Sequence, residues 1–387
     1  VRSLTLAYAL AGADCVDVAA DPAVLAAARD ALKAAAALSP IAQQQGYGVE
    51  GLPWLMVSLN DGEDPHFRKA EFDSTLCPAD CPRPCERICP TEAIVWQQEF
   101  SGVLDSLCYG CGRCLTICPL HQISTRSYVI TPAAIAPLVL TGVDAVEIHT
   151  QVGRFAEFSQ LWQAILPFVH RLKLVAISCP DGEGLIDYLW SLYELIAPLP
   201  CVLIWQTDGR PMSGDIGDGA TRAAVKLGQK VLAAGLPGYV QLAGGTNRST
   251  VTKLESLGLL KQSRTLAPEL SPTLHPSDQA IKRPMDYVAG IAYGSYARSL
   301  LAPIIEMLEQ GIFVGDAGDT SGDLANLALA NHSLDTIPST FLHIEENPDL
   351  LWHAVAAAHT LVSQLKPVVQ STPSEFQLAR SFPCSEV

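Results

Sequence analysis

Five consecutive stretches decide the fold: AVEIH (Ala145–His149), FAEFSQLWQAILPF (Phe155–Phe168), LKLVAIS (Leu172–Ser178), LIDYLWSLYELI (Leu185–Ile196) and CVLIWQ (Cys201–Gln206). The first, third and fifth are short, largely apolar runs of strand length. The second and fourth repeat apolar residues at helical spacing. Strand and helix in strict alternation are the grammar of a parallel sheet whose faces are covered by helices.

The same rhythm continues outward. Toward the C-terminus a helix over Ala220–Ala234, a strand over Tyr239–Ala243, a helix over Thr250–Leu257, a strand over Tyr287–Ala292 and a helix over Leu300–Gln310 are expected. Toward the N-terminus a helix over Leu4–Ala11, a strand over Cys15–Ala20, a helix over Pro22–Leu38 and a strand over Trp54–Leu59 complete seven strands. The regular spacing, with no reversal signal, predicts an α/β fold of the (β/α)8 TIM-barrel type whose first strand is atypical or lies before Val1. An open doubly wound sheet satisfies the same pattern. The expected division is 1–65 and 129–366 for the barrel-like domain, 66–128 for a cysteine-rich insert and 367–387 for a flexible tail. Ser263–Pro284, rich in Pro and Ser, reads as an insertion loop.

Composition narrows the function. Of 387 residues 49% are apolar and 17% charged, which excludes wholesale disorder. Forty acidic against 25 basic side chains give −15, a field that repels phosphate backbones, so nucleic acid is not an expected partner. The most apolar window, Ile130–Val143, is broken by Pro132 and Pro137, so no transmembrane segment is expected. The chain enters an apolar helical stretch at once, without a secretory leader pattern. A cytoplasmic, reducing setting is the expectation.

Eight of the twelve cysteines crowd between Cys77 and Cys118, which points to metal rather than disulfides. CPADCPRPCERICP places Cys77, Cys81, Cys85 and Cys89 four apart. CYGCGRCLTICP places Cys108, Cys111, Cys114 and Cys118 in the C-x2-C-x2-C-x3-C-P run of bacterial ferredoxins. In such runs three thiolates on one loop grip one cluster and the fourth reaches the other. Cys108, Cys111 and Cys114 should therefore share a cluster with Cys89, and Cys77, Cys81 and Cys85 with Cys118. Two iron-sulfur clusters of 4Fe-4S type follow. The wider gaps of the first run make a 3Fe-4S form the alternative for one of them. Two four-thiolate zinc sites are the rival use of the same residues, although zinc ligands usually come in separated pairs. Cys15, Cys179 and Cys201 read as small core residues and Cys384 as an exposed thiol in the tail.

Four strands run into loops of small or ionisable residues: Ser178–Gly184, Asp208–Gly219, Gly244–Arg248 and Gly294–Arg298. In a parallel barrel the site forms at these ends. Gly244, Gly245 and Gly294 with Arg248 and Arg298 outline a phosphate or flavin mononucleotide (FMN) site, with ordinary turn chemistry as the plain alternative. Asp208, Asp215 and Asp218 are candidates to gather a cation. His149 and Asp208 stand where a general base would stand, but no catalytic set is legible.

LAYALAGADCVDVAAD (Leu6–Asp21), the twin cysteine runs, WQTDGRPMSGDIG (Trp205–Gly217), AGGTN (Ala243–Asn247) and IAYGSYAR (Ile291–Arg298) together resemble the light-dependent period (LdpA) family of cyanobacteria across residues 1 to about 365. The insert itself is similar to two-cluster ferredoxins. The family resemblance implies a redox-active iron-sulfur protein that informs the circadian clock of light. Its implied partners are an input histidine kinase and the Kai clock proteins, with a redox partner such as ferredoxin or quinone. No established reaction comes with it. The competing reading is a flavin-dependent oxidoreductase in which the ferredoxin-like insert passes electrons to FMN in the barrel; clusters serving only as structural staples are a third.

Overall fold

The computed structural model describes residues 1–47, 51–62, 68–97, 100–127, 132–209, 221–261, 286–310 and 343–366. In chain order its strands are β1 (Cys15–Ala19), β2 (Trp54–Asn60), β3 (Arg68–Glu71), β4 (Ile94–Trp96), β5 (Ser101–Val103), β6 (Ser124–Ser127), β7 (Ala145–His149), β8 (Leu174–Pro180), β9 (Val202–Asp208), β10 (Tyr239–Ala243) and β11 (Gly290–Ile291). Its α-helices are α1 (Arg2–Leu10), α2 (Pro22–Gln44), α3 (Pro84–Arg87), α4 (Arg113–Ile117), α5 (Pro132–Val139), α6 (Phe155–Ile165), α7 (Leu185–Ile196), α8 (Thr221–Ala233), α9 (Thr250–Ser256), α10 (Ser295–Gln310) and α11 (Pro348–Val362).

Seven strands form one sheet in the order β1-β2-β7-β8-β9-β10-β11, every pair parallel. Each new strand joins the edge left by the one before, so the order has no switch point of the doubly wound kind. The sheet curls into half of a barrel. Among the described residues β1 and β11 are its two edges, and no pairing closes the ring.

Alternation along the strands explains the two faces. Val18, Val57, Val146, Ile148, Val175, Ile177, Trp205 and Val240 point to the convex side and form the main core with Phe158 and Leu161 of α6, Leu189 and Leu192 of α7, and Leu227 and Val231 of α8. Burying these large side chains is the chief stabilisation of the sheet, each contributing about 1.5–3 kcal/mol. Among the described residues the concave side is not covered in the same way. Met56, Ala145, Leu174 and Ala176 make a small apolar layer near the strand starts. Beyond it the face turns polar, with Asp17, Ser58, Glu147, Ser178 and Gln206. Among the described residues the helices therefore cover the convex face, the outer face of a barrel-type sheet.

A second apolar cluster joins α1, α2, α10 and α11 through Leu6, Leu10, Ala31, Leu301, Leu350 and Val355. Arg2 fastens it, meeting Asp30 at 2.5 Å and Glu345 at 2.5 Å. Helix ends follow capping chemistry. Asp21 accepts from Ala23 N and Val24 N ahead of Pro22 at the first turn, and Asn347 does the same for α11 before Pro348.

The sequence reading is corrected at several ends. α2 runs past Leu38 to Gln44 with Pro40 inside it, α10 starts at Ser295 rather than Leu300, and β11 is two residues long. The Pro-broken window is the short helix α5, and no helix among the described residues is long and apolar enough to cross a membrane. Ser263–Pro284, Asp215, Asp218, Cys384 and the tail lie outside the described residues.

Candidate metal centre

Between β2 and α5 the chain builds the cysteine-rich insert from two β-α-β halves, β3-α3-β4 and β5-α4-β6. The strands cross over between halves. β3 pairs antiparallel with β6, and β4 with β5. The two halves also repeat a turn. Cys89 O accepts from Glu92 N at 3.2 Å and Cys118 O from His121 N at 3.1 Å, and Glu92 and His121 share the same left-handed φ of 51°. Cys-Pro followed by two residues is thus the same local structure twice, as a duplicated half-motif requires.

The electrostatic neighbours of several cysteines lie in the other run. Cys114 is repelled by Cys111, Cys108 and Cys89, and Cys111 by Cys89 and Cys108. Cys77 is repelled by Cys81 and Cys118, and Cys85 by Cys118 and Cys77. Burial first, then this crowding, pushes the Cys114 thiol up to about 12 and raises those of Cys77 and Cys85. Cys89, Cys108, Cys111 and Cys114 line one cavity together with Ala70, Thr91, Ala93, Gly110, Gly112 and Arg113.

The surroundings fit an iron-sulfur group. Ala93 N donates to Cys89 Sγ at 3.2 Å and Ala70 N to Cys108 Sγ at 3.5 Å, the backbone contacts that tune such sulfurs. Arg113 is buried and lowers the cost of charge at Cys111, and Arg83 does so at Cys77. Gly110 has φ +71°, and a Cβ there would lie 2.3 Å from Arg68 O, so only glycine lets the loop pass this close to β3. Among the described residues no three His, Cys, Asp or Glu side chains converge as a single ion needs, with every ligand about 2.0–2.3 Å from one centre. A multi-iron group instead takes each thiolate at a separate iron.

One lysine ties the insert to the sheet. Lys69 of β3 meets Asp21 Oδ2, beyond the end of β1, at 2.8 Å, and donates to the carbonyls of Asp105 and Cys108 at 2.7 Å each. Lys173, just before β8, pairs with Asp144 at 2.6 Å.

The other predicted site residues are more dispersed. Gly244 and Gly245 take left-handed φ values of 55° and 92° after β10, as the loop reading required. The loop then satisfies itself. Thr250 Oγ1 accepts from Asn247 N, Asn247 Oδ1 accepts from Ser249 N, and Thr246 Oγ1 donates to Ala292 O. Amides at 247 and 249 are thus already used. Arg248 borders an open groove with Thr221, Arg222 and Lys253, whereas Arg298, one turn after Gly294, donates to Ser295 Oγ at 3.1 Å. Of the remaining cysteines Cys179 is buried, its thiol pushed up to about 12 by burial, and Cys15 and Cys201 are half-buried. Sequence reading missed Lys69, Arg113 and the polar concave face. The last left a signal: VDV, VEI and WQT each set one polar residue between neighbours at period two.

Comparison with known proteins adds to this geometry. Residues 138–364 match the family described as Light dependent period A C-terminal domain, and residues 77–129 the LdpA Fe-S cluster-binding domain. The chain is 51% identical over 311 residues to Light dependent period A of Synechococcus elongatus, covering 80% of this chain and 79% of that relative. No solved structure matches it.

Proposed function

This chain belongs to the Light dependent period A family, and from that membership we propose that it is a redox-responsive iron-sulfur protein that passes the light-set redox state of the cell to the circadian clock. The observation that carries the reading is the crossed grouping of the thiols, Cys89 with Cys108, Cys111 and Cys114, and Cys118 with Cys77, Cys81 and Cys85. Those quartets hold two clusters, 4Fe-4S at the first and 4Fe-4S or 3Fe-4S at the second. When bound, such groups exchange single electrons at potentials anywhere from roughly −700 to +450 mV.

The chain's own residues set the terms of that exchange. Arg113, Arg83 and the amides of Ala70 and Ala93 stabilise the added negative charge of the reduced state. Exposed Cys111 leaves one edge of its group near solvent. Leu76, Leu107, Ile117 and Leu120 are exposed on the same insert, apolar surface of the kind that partners cover. An input histidine kinase and the Kai proteins are the proposed readers in the cytoplasm, with ferredoxin or quinone as the electron source. Lys69 makes the insert's charge state felt at the sheet.

Iron and sulfide analysis with electron paramagnetic resonance during a redox titration tests this on the full chain purified without oxygen. Two reversible clusters, and a kinase or Kai affinity that differs between oxidised and reduced protein, are expected. Colourless protein loaded with zinc, or an affinity that does not change across the titration, contradicts it.

A further inference from the structure

The concave face of the sheet holds a polar group that the cluster reading does not use. Asp17, Ser58, Glu147, Ser178 and Gln206 come from β1, β2, β7, β8 and β9. Ser58 Oγ donates to Asp17 Oδ2 at 2.5 Å and lies 3.4 Å from Glu147 Oε2. Gln206 Nε2 donates to Glu147 Oε1 and lies 3.3 Å from Ser178 Oγ. His149 Nε2 stands 3.2 Å from Glu147 Oε1, and the carboxyls of Asp17 and Glu147 are within hydrogen-bond reach of each other.

Acceptors outnumber donors here. Gln206 is 5% exposed, and its Oε1 is buried without a hydrogen-bond partner while the other end of the same amide is fixed on Glu147. Glu147 is 3% exposed, and no lysine or arginine among the described residues is seen to pair with it or with Asp17. The protein atoms that surround the open concave face, and then the Glu147 carboxylate, hold Asp17 well above the usual range although its side chain still reaches solvent; burial first, with Asp208 adding to it, pushes Glu147 up to about 7. Enclosure and mutual repulsion thus favour the protonated form at this pair, with no lysine or arginine beside it among the described residues.

We propose that this face binds a small organic cation, an alkylammonium or guanidinium compound, whose N–H groups engage Gln206 Oε1 and the Asp17–Glu147 pair. An anion meets three carboxylates here, counting Asp208. A single metal ion lacks the converging ligands. An N–H-bearing cation fills both deficits at once, the orphaned acceptor and the missing positive charge. Exposed Asp17 and half-exposed His149 leave an approach from solvent among the described residues.

Calorimetric titration of the cluster-loaded full chain with agmatine tests it, with 1,4-butanediol as the neutral probe and magnesium as the metal probe. Agmatine is expected to bind and to release a proton near pH 7, read from buffers of different ionisation heat, because its charge ionises the protonated carboxyl. Glu147→Gln and Gln206→Leu are expected to weaken binding at least tenfold, with no binding of the diol. No heat from agmatine up to about 10 mM, where a millimolar Kd is visible, overturns the proposal. So do binding without proton release, equal binding to folded Glu147→Gln, or magnesium binding in its place. If a variant does not fold, proton release in the unaltered protein decides alone. None of these residues is a cluster ligand, so failure here leaves the redox reading standing.

Discussion

Replacing Lys69 by methionine should loosen the joint between the insert and the sheet. The side chain is 6% exposed and its partner Asp21 3%, so the pair lies out of solvent. Methionine keeps the stem volume but takes the Lys69 ammonium away from the Asp21 carboxylate and from the carbonyls of Asp105 and Cys108. Breaking one side of a buried pair costs about 3–5 kcal/mol, most of it from the uncompensated charge left behind. Asp21 keeps its bonds from Ala23 N and Val24 N, which places the loss toward the lower end. Asp21→Asn in the same chain removes the carboxylate charge that faced Lys69, keeps a capping oxygen and should recover about 1–2 kcal/mol. Urea unfolding followed by circular dichroism, with visible cluster absorbance recorded in parallel, separates loss of the sheet from loss of the insert. A change within about 1 kcal/mol for Lys69→Met, or a double variant no better than the single, refutes the reasoning.

Gly110→Ala should lower bound iron far more than Gly112→Ala. Both positions have φ above +70°, at about 1–2 kcal/mol for any side chain, but the Cβ at 110 meets Arg68 O at 2.3 Å while that at 112 finds only Leu115 Cδ1 at 3.7 Å; equal iron contents contradict this. Glu147 carries a folded-state pKa of about 7 against an ordinary 4.5, raised by burial, so the folded form holds the extra proton. Its stabilising contribution is complete below pH 4.5 and is lost as pH rises through 7, about 2–3 kcal/mol between pH 5 and 8. Urea midpoints of the protein should fall over that interval relative to Glu147→Gln, and parallel midpoints contradict the buried-acid account.

The sheet was legible because each strand presents a run of Val, Ile and Leu to the helices, and AVEIH, LIDYLWSLYELI and YVQLA carry their ends in the sequence. Strand ends next to Gly and Pro were less so: β8 and β9 run two residues past the apolar run, and α2 runs through Pro40. The small elements β3 to β6, with α3 and α4, were missed because four-residue segments have no period to read; their shape comes from the cysteine loops. The cysteine partition was proposed from spacing, and Cys89 lining one cavity with Cys108, Cys111 and Cys114 is consistent with it. Lys69 was not legible, since a lysine at 6% exposure is recognisable only from the Asp21 that a fold brings to it. The polar stripe at Asp17, Glu147 and Gln206 was visible as period two but was absorbed into the reading of strands buried on both faces.

The central claim is that each group of four thiols borrows its last ligand from the other run. Electron paramagnetic resonance of reduced, oxygen-protected Cys89→Ser, Cys111→Ser, Cys81→Ser and Cys118→Ser proteins measures it most directly. Cys89→Ser should disturb the same signal as Cys111→Ser, and Cys118→Ser the same signal as Cys81→Ser. The opposite pairing, Cys89 with Cys81 and Cys118 with Cys111, contradicts the account.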